Sequence, residues 1–394
     1  MTPAARVQAA IELLDEIIEA AFHAGPAADT IIALYFKTRR YAGSKDRRAV
    51  RQLVYAAIRR CGERPQSGRA ALLGLAQDDP ELLEHFSGPP HGPAALEAGE
   101  AAAPASPAPR WMDGRFDPLL DQGEFQALLE RAPLDLRVNT LKASVEGVRQ
   151  ELGDAVPTPL SPVGLRLPDG TGIDRHRLWN EGAIEVQDEG SQLLSLSCKA
   201  MPGMTVVDLC AGAGGKTLAL AADMADAGRI VASDTDRGRL SRMAPRLHRA
   251  GISIVEPRLL NPGSELAALE DLQGGADLVL VDAPCSGTGT WRRNPETRWR
   301  LTPDRLSRLV RLQSELLDIA AELVRPGGAL VYAVCSLLAD EGRAQAEAFG
   351  TRRSSFVSQA PDIAGGRRSG PGHLLTPGHD GTDGFFVARW QAPC

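Results

Sequence analysis

No apolar run in this 394-residue chain reaches about 18 residues, so no membrane-spanning helix is written in it. The opening MTPAARVQAAIELLDEI carries acids and lacks a signal-peptide core, which points to a cytoplasmic protein without a membrane partner. The six cysteines (61, 198, 210, 285, 335 and 394) form no C-x-x-C pair. No metal is therefore implied, and in a cytosolic chain these are free thiols, of which some could be reactive. Net positive charge is lacking too: 44 Lys and Arg against 50 Asp and Glu leave −6. Taken as a total, that argues against a polyanion partner.

The total hides clustering. Lys37, Arg39, Arg40, Lys45, Arg47, Arg48, Arg51, Arg59 and Arg60 stand in one stretch, with Asp46 its only acid. Between Trp291 and Arg311 lie seven arginines and two tryptophans. Patches of this kind, more than net charge, are the footprint of phosphate binding; the alternative is a solvated helix face.

The length allows two or three domains. Residues 1–62 read as helices, with Val7, Ile11, Leu14, Ile18 and Phe22 recurring at three- and four-residue spacing. Residues 63–110 include SGPPHGPAALEAGEAAAPASPAPR and read as a flexible linker, rich in proline, alanine and glycine. Residues 111–200 read as a small α/β domain, in which LDLRVNTLK is a strand and AIEVQDEGSQLLSLSCKA a strand running into a helix. From 201 to 394 strands and helices alternate, with RGRLSRMAPRLHRAG a helix interrupted at Pro245 and GFFVARW the last strand. DLVLV and ALVYAVCS are continuous apolar strands, typical of a parallel sheet buried on both faces. The fold class is α/β, a doubly wound Rossmann-like sheet whose ligands sit at the carboxyl ends of its strands. Asp208, Asp234, Asp282 and Cys335 all fall at such ends.

The central stretch is TVVDLCAGAGGKTLALAADMADAGRIVASD, residues 205–234. Gly212, Gly214 and Gly215 separate a strand from a helix, where backbone can approach a ligand closely and helix N–H groups face it. Asp234 follows about 20 residues later, at the end of the next strand, placed to accept hydrogen bonds from ribose hydroxyls. Gly215-Lys216-Thr217 also resembles the end of a Walker A motif, but Cys210 stands where that spacing needs glycine. The loop reads best as half of a nucleoside-cofactor site.

Two cysteines give that loop its chemical context. Cys285 lies in DAPCSGTG and Cys335 in YAVCS, each followed by serine and each at the ligand end of a strand. Carbon 5 of a cytosine does not take a methyl group unaided. A thiolate adding to carbon 6 makes it an enamine carbon, an acid near the ring nitrogen helps, and a base must later remove the carbon-5 proton. One thiol, one acid and a methyl donor meet these needs.

The segments DLCAGAGGKT, LVLVDAPCSGTGTWRRNPETRW, AVCS, RVNTLK, VQDEGSQL and DGFFVA, in this order-specific set, resemble the Nop/Sun (Fmu) family of RNA cytosine-C5 methyltransferases, in its bacterial 16S ribosomal RNA branch. The resemblance covers about residues 107–394. It implies S-adenosyl-L-methionine as cofactor, ribosomal RNA as partner, an extruded cytosine as target, and a monomer. By the same resemblance, Cys210, Ala211, Gly212, Ala213, Gly214, Gly215 and Lys216 form the loop around the cofactor's methionine part. Asp234 holds its ribose, Asn261 takes the place of an acid near the adenine, and Asp282 lies beside cofactor and base. Cys335 is the nucleophile and Cys285 assists product release. The chain departs from the family pattern at Gly212-Ala213, where Ala-Pro is usual, and at Val334, where Thr is usual. The N-terminal helices resemble, more loosely, the RNA-binding domain of the antitermination factor NusB. Arg137, Asn139, Arg292, Arg293, Arg298 and Arg300 are candidate RNA contacts, and Trp291 and Trp299 are either core or base-stacking residues. Two rival readings are a P-loop ATPase acting on RNA and a non-catalytic RNA-binding factor of ribosome assembly.

Overall fold

Apolar side chains at helical spacing build four N-terminal helices: α1 (Pro3–Phe22), α2 (Ala28–Thr38), α3 (Ser44–Arg60) and α4 (Gly68–Leu75). Thr2 caps α1, its hydroxyl oxygen accepting the Ala5 N–H at 3.2 Å, and Pro3 stands at the first helical position, where no N–H is needed. Val7, Leu14 and Ile17 of α1 are buried together with Val50, Val54 and Ile58 of α3. The computed structural model describes residues 1–23, 25–168 and 170–394. Its chain forms two units: Met1–Arg115 with Phe125–Glu130 and Thr290–Arg305, and Phe116–Glu124 with Arg131–Gly289 and Leu306–Cys394.

In the first unit, residues 63–110 differ from the flexible linker that composition suggests. The Ala103 N–H donates to Ala70 O at 2.9 Å and the Ser106 N–H to Arg60 O at 3.0 Å. Arg69 pairs with Glu100, and Leu82, Phe86 and Ala103 are buried. A few spaced apolar residues, tied down by backbone hydrogen bonds, are enough to fix a proline-rich stretch. Residues 290–305 also pack here. Trp299 is buried in the helical core and its Nε1 donates to Cys61 O at 2.8 Å.

The second unit holds two sheets. The smaller is antiparallel, in the order β2-β3-β1-β4, from β1 (Leu134–Val138), β2 (Val156–Pro157), β3 (Gly164–Leu167) and β4 (Ile184–Val186). It belongs to the same unit as the large sheet, so the boundary expected at residue 200 does not divide the chain. Polar side chains that follow β1 reach the helix Met243–Ala250: Asn139 Nδ2 donates to Ala250 O at 3.0 Å, and Lys142 Nζ to Arg249 O at 2.7 Å.

The large sheet contains β5 (Thr205–Asp208), β6 (Arg229–Asp234), β7 (Val255–Leu259), β8 (Ala276–Asp282) and β9 (Val324–Val334), followed by β10 (Val357–Gln359), β11 (Arg367–Ser369), β12 (Gly372–Leu375) and β13 (Phe385–Gln391). Its order is β11-β12-β13-β9-β8-β5-β6-β7, with β10 on β13. Pairing is parallel from β9 to β7 and antiparallel beyond β9. β5 pairs with β6 on one side and β8 on the other, so the strand order reverses at β5 and opens a crevice at its carboxyl end. Pro245 does not interrupt a helix as expected. The break falls at Ser241–Arg242, and Pro245 lies in the first turn of the helix Met243–Ala250, where a missing N–H costs nothing.

Candidate active site

β5 ends at Asp208, and the chain turns through the glycine loop into the helix Gly215–Asp223. Gly212 and Gly214 have φ of 57° and 83°, the left-handed region that favours glycine, and a Cβ on Gly214 would lie 2.8 Å from Met243. The Gly212 N–H donates to Asp234 Oδ2 at 2.8 Å, while Asp234 Oδ1 accepts the Asp236 N–H at 2.7 Å. The acid after β6 is thereby fixed against the loop, and each oxygen keeps a further lone pair. The Ala211 N–H bonds Ser233 O at 2.9 Å, and Ala213 O accepts Arg246 Nη1 at 2.7 Å. At Gly215 a Cβ would meet nothing within 4 Å, so the loop is open at the helix start.

Asp208 lies beneath the loop and is buried. Thr217 Oγ1 donates to its Oδ2 at 2.7 Å, whereas its Oδ1 has no partner among the described residues. Burial pushes its carboxyl up to about 7. Burial and the carboxylates of Asp208, Asp234 and Asp282 also push the Cys210 thiol well above its ordinary range, so Cys210 is a neutral part of the loop wall. Thr217 is buried on Asp208, which removes it from the magnesium position a P-loop would require.

The two cysteines meet because β8 and β9 are parallel neighbours, with Asp282 paired to Ala333. Just beyond these ends, Cys285 Sγ and Cys335 Sγ stand 3.4 Å apart. The bond to Cys335 and burial together push the Cys285 thiol well above its usual value. Lys216, from the glycine-loop helix, reaches Asp282 Oδ2 at 2.6 Å. Burial opposes the Lys216 ammonium, but the charge and hydrogen bond of Asp282, with a smaller contribution from Cys335, hold it above its ordinary value. Glycine loop, acid and thiol pair thus share one end of the sheet.

Asn261 follows β7, and its position is set by the Leu260 N–H bonding Asp234 O at 2.9 Å. Its side chain is exposed, and its backbone carbonyl accepts the Ser264 N–H in a turn. Other candidates serve the fold instead of a ligand. Arg137 is buried with Nε on Gln187 Oε1 at 2.6 Å, and Asn139 is buried on the carbonyls of Gly182 and Ala250. Arg298 is buried on the carbonyls of Ile58, Arg59, Pro107 and Pro295, and the half-buried Arg300 donates to those of Gly25 and Pro26. Trp291 and Trp299 are core residues. Asp208, Arg246 and the buried Glu341 are parts of the site that sequence reading did not assign. The serine after each cysteine is the sign of Glu341 in the sequence, since its carboxylate accepts from both Ser286 and Ser336.

The residues present suit a nucleoside cofactor: an open glycine cradle, a fixed acid after the second strand, and a buried acceptor, Asp208 Oδ1, without a partner among the described residues. With the strand order, they define a Rossmann-like methyltransferase. Residues 196–391 match the family described as 16S rRNA methyltransferase RsmB/F. The chain is 37% identical over 300 residues to the probable ribosomal RNA small subunit methyltransferase B of Synechocystis sp., covering 71% of this chain and 66% of that protein. It is 36% identical over 290 residues to the ribosomal RNA small subunit methyltransferase B of Xylella fastidiosa, covering 71% and 68%. The match thus spans about two thirds of these relatives' length. Among crystal structures, PH0851 superposes with a TM-score of 0.78 at 25% identity over 99% of both chains. A methyltransferase homolog protein from Pyrococcus horikoshii gives 0.60 at 27%, covering 68% of this chain and 90% of that one. The chain belongs to the RsmB/F methyltransferase family, whose cofactor is S-adenosylmethionine.

Proposed function

We propose that the protein methylates carbon 5 of a cytosine in small-subunit ribosomal RNA through a covalent adduct with Cys335. The single observation that carries this reading is the pair of sulfurs 3.4 Å apart beside an acid that is itself bonded to the glycine-loop lysine. A relative's RNA substrate, named for the Synechocystis and Xylella proteins, supports the choice of acceptor.

S-adenosylmethionine, when bound, supplies an electrophilic methyl group. Gly212 to Lys216 and Asp234 would hold it, with Asn261 and Asp282 at its flanks. The chain's own task is to make carbon 5 nucleophilic. The Cys335 thiolate adds to carbon 6, and the electron pair of the carbon 5–carbon 6 bond becomes available at carbon 5. Asp282, oriented by Lys216, is the acid beside the ring nitrogen. Lys216 adds a positive charge within electrostatic reach of Cys335. Elimination then needs the carbon-5 proton removed as the sulfur–carbon 6 bond breaks and the pair returns to Cys335. Cys285 is the neighbour placed to assist that release: its thiol must first give up its own proton, and the resulting thiolate then accepts the carbon-5 proton and becomes a neutral thiol again.

The N-terminal helical unit is the proposed RNA-docking module, since the turn between α2 and α3 exposes Lys37, Arg40, Lys45 and Arg48. Replacement of Cys335 by alanine should abolish methyl transfer. Replacement of Cys285 should leave an RNA–protein adduct that survives denaturing electrophoresis. Full turnover by Cys335→Ala would overturn the nucleophile assignment, and bisulfite sequencing of RNA from a deletion strain would locate the methylated cytosine.

A further inference from the structure

We propose that Glu341 is a positioning residue that keeps the two thiols in register by gripping the serine behind each of them. The inference rests on the two-thiol chemistry proposed above. Glu341 is fully buried, and four neutral donors converge on its carboxylate. Oε1 accepts the Ser286 N–H at 2.9 Å and Gln313 Nε2 at 3.0 Å. Oε2 accepts the hydroxyls of Ser336, at 2.5 Å, and of Ser286. Gln313 Nε2 also donates to Pro284 O at 2.9 Å, which ties the residue before Cys285 to the same point.

One carboxylate therefore holds Pro284-Cys285-Ser286, which follows β8, and Cys335-Ser336, which follows β9. Its own backbone is fixed as well, because Tyr332 Oη donates to Glu341 O at 2.6 Å. Thr288 Oγ1 adds a parallel tie by accepting the Leu337 N–H at 2.8 Å. A buried carboxylate is costly unless its lone pairs are filled, and bonds to an ionised acceptor are short and strong. Simple packing between two loops would be served by an apolar residue at lower cost. The carboxylate's four bonds instead fix two backbone segments whose cysteines must approach within 3.4 Å.

The test compares full-length wild type, Glu341→Gln and Glu341→Ala. Proximity is read without turnover, as the rate at which diamide oxidises Cys285 and Cys335 to a disulfide. The two thiols give up two protons and two electrons, diamide is reduced to the hydrazine, and mass spectrometry counts the two hydrogens lost. Glu341→Ala should slow this reaction by about tenfold or more, and Glu341→Gln, which keeps the shape and most of the bonds, should recover most of the rate. In methyl transfer, Glu341→Ala should lower kcat while KM for S-adenosylmethionine stays within about twofold, because the glycine loop is untouched. An unchanged cross-linking rate in folded Glu341→Ala overturns the proposal. If that variant does not fold, Ser336→Ala, which removes one bond, is read in the same way. Failure of the cytosine-C5 reaction itself would appear as absent methylation in wild type, whatever the cross-linking rates.

Discussion

Lys216 Nζ and Asp282 Oδ2 stand 2.6 Å apart, joining the first turn of the glycine-loop helix to the end of β8. Both side chains are mostly buried, at 12% and 28% exposure, so water screens this pair less than a surface pair. The lysine answers to two partners, since Asp282 and Cys335 both raise its affinity for a proton. Lys216→Met should lower kcat/KM for methyl transfer by about 10- to 100-fold, with most of the loss in kcat. Lys216→Arg should recover part of it. Steady-state kinetics with separate titration of S-adenosylmethionine would show the split. Unchanged kcat in Lys216→Met would reduce the ion pair to a structural contact.

Asp208 makes stability depend on pH in an unusual direction. Its carboxyl is pushed from 3.8 up to about 7, chiefly by burial. Below about pH 4 it is protonated in both folded and unfolded chains and costs nothing. Between about pH 4 and 7 the unfolded chain loses the proton while the folded chain keeps it, so stability falls as pH rises. Above pH 7 the full penalty applies, roughly 4 kcal/mol for a shift of this size. Asp208→Asn keeps an acceptor for Thr217 and removes the penalty. Urea denaturation of both proteins without cofactor, from pH 4 to 8, should show the variant gaining relative stability as pH rises. A pH-independent difference would contradict the burial argument.

Arg246 links the glycine loop to the smaller sheet. Its guanidinium donates to Ala213 O at 2.7 Å and to Glu185 Oε2 at 3.0 Å, while Arg249 also pairs with Glu185. Loss of the bond to Ala213 should loosen the cofactor loop. Arg246→Met is therefore expected to raise KM for S-adenosylmethionine by about 5- to 20-fold with a smaller change in kcat. Glu185→Gln, which leaves Arg246 in place, should have a weaker effect in the same direction. Equal losses in kcat and kcat/KM for Arg246→Met would show that the loop is held by other contacts.

These three residues also mark the boundary of what the sequence displays. The glycine loop and Asp234 are close in sequence, and their spacing alone suggests that they lie together; the Gly212–Asp234 bond joins them. The continuous apolar runs of β8 and β9 place both cysteines at strand ends, from which the parallel register brings them together. Polar residues whose partners are remote in the chain behave differently. Arg298 looks like an RNA contact in a basic, tryptophan-rich segment, yet it donates to Ile58 O, 240 residues away. Arg137 and Asn139 look like RNA contacts in a strand with basic residues, yet both are buried. Local composition reports charge and hydrogen-bonding capacity, but only the tertiary path decides whether a guanidinium meets phosphate or a neighbouring carbonyl. The same holds for the stretch 63–110, where proline and alanine suggest a linker and long-range backbone bonds hold it in place.

The Trp291–Arg300 segment should accordingly behave as a structural insert. Trp299 fills the helical core and donates to Cys61 O at 2.8 Å. Trp299→Ala removes a buried indole and leaves that carbonyl unpaired, at a cost of about 3–5 kcal/mol. Thermal denaturation would register this as a lower Tm. Trp299→Phe should recover the packing and lose only the hydrogen bond. A residue that stacked on a base would show the opposite pattern: unchanged Tm and weakened RNA binding.

The basic face of the helical unit makes the complementary prediction. Lys37, Arg40, Lys45 and Arg48 are exposed at the α2–α3 turn, and Asp46, the one acid in the stretch, is neutralised by Arg6 at 2.8 Å. Among the described residues, no ion pair offsets these four positive charges. If they meet phosphates, each releases condensed counterions on binding, and log Kd should vary steeply with log salt concentration. Replacing all four with glutamine should weaken RNA binding across sequences and lower the magnitude of the salt slope by up to about 3, at roughly 0.7 per phosphate contact. The substitutions lie on the surface, so Tm should move little. Filter binding of an rRNA fragment at several salt concentrations separates the outcomes. A parallel shift with unchanged slope would mean that these side chains act through the fold, whereas no shift at all would place the RNA on another face.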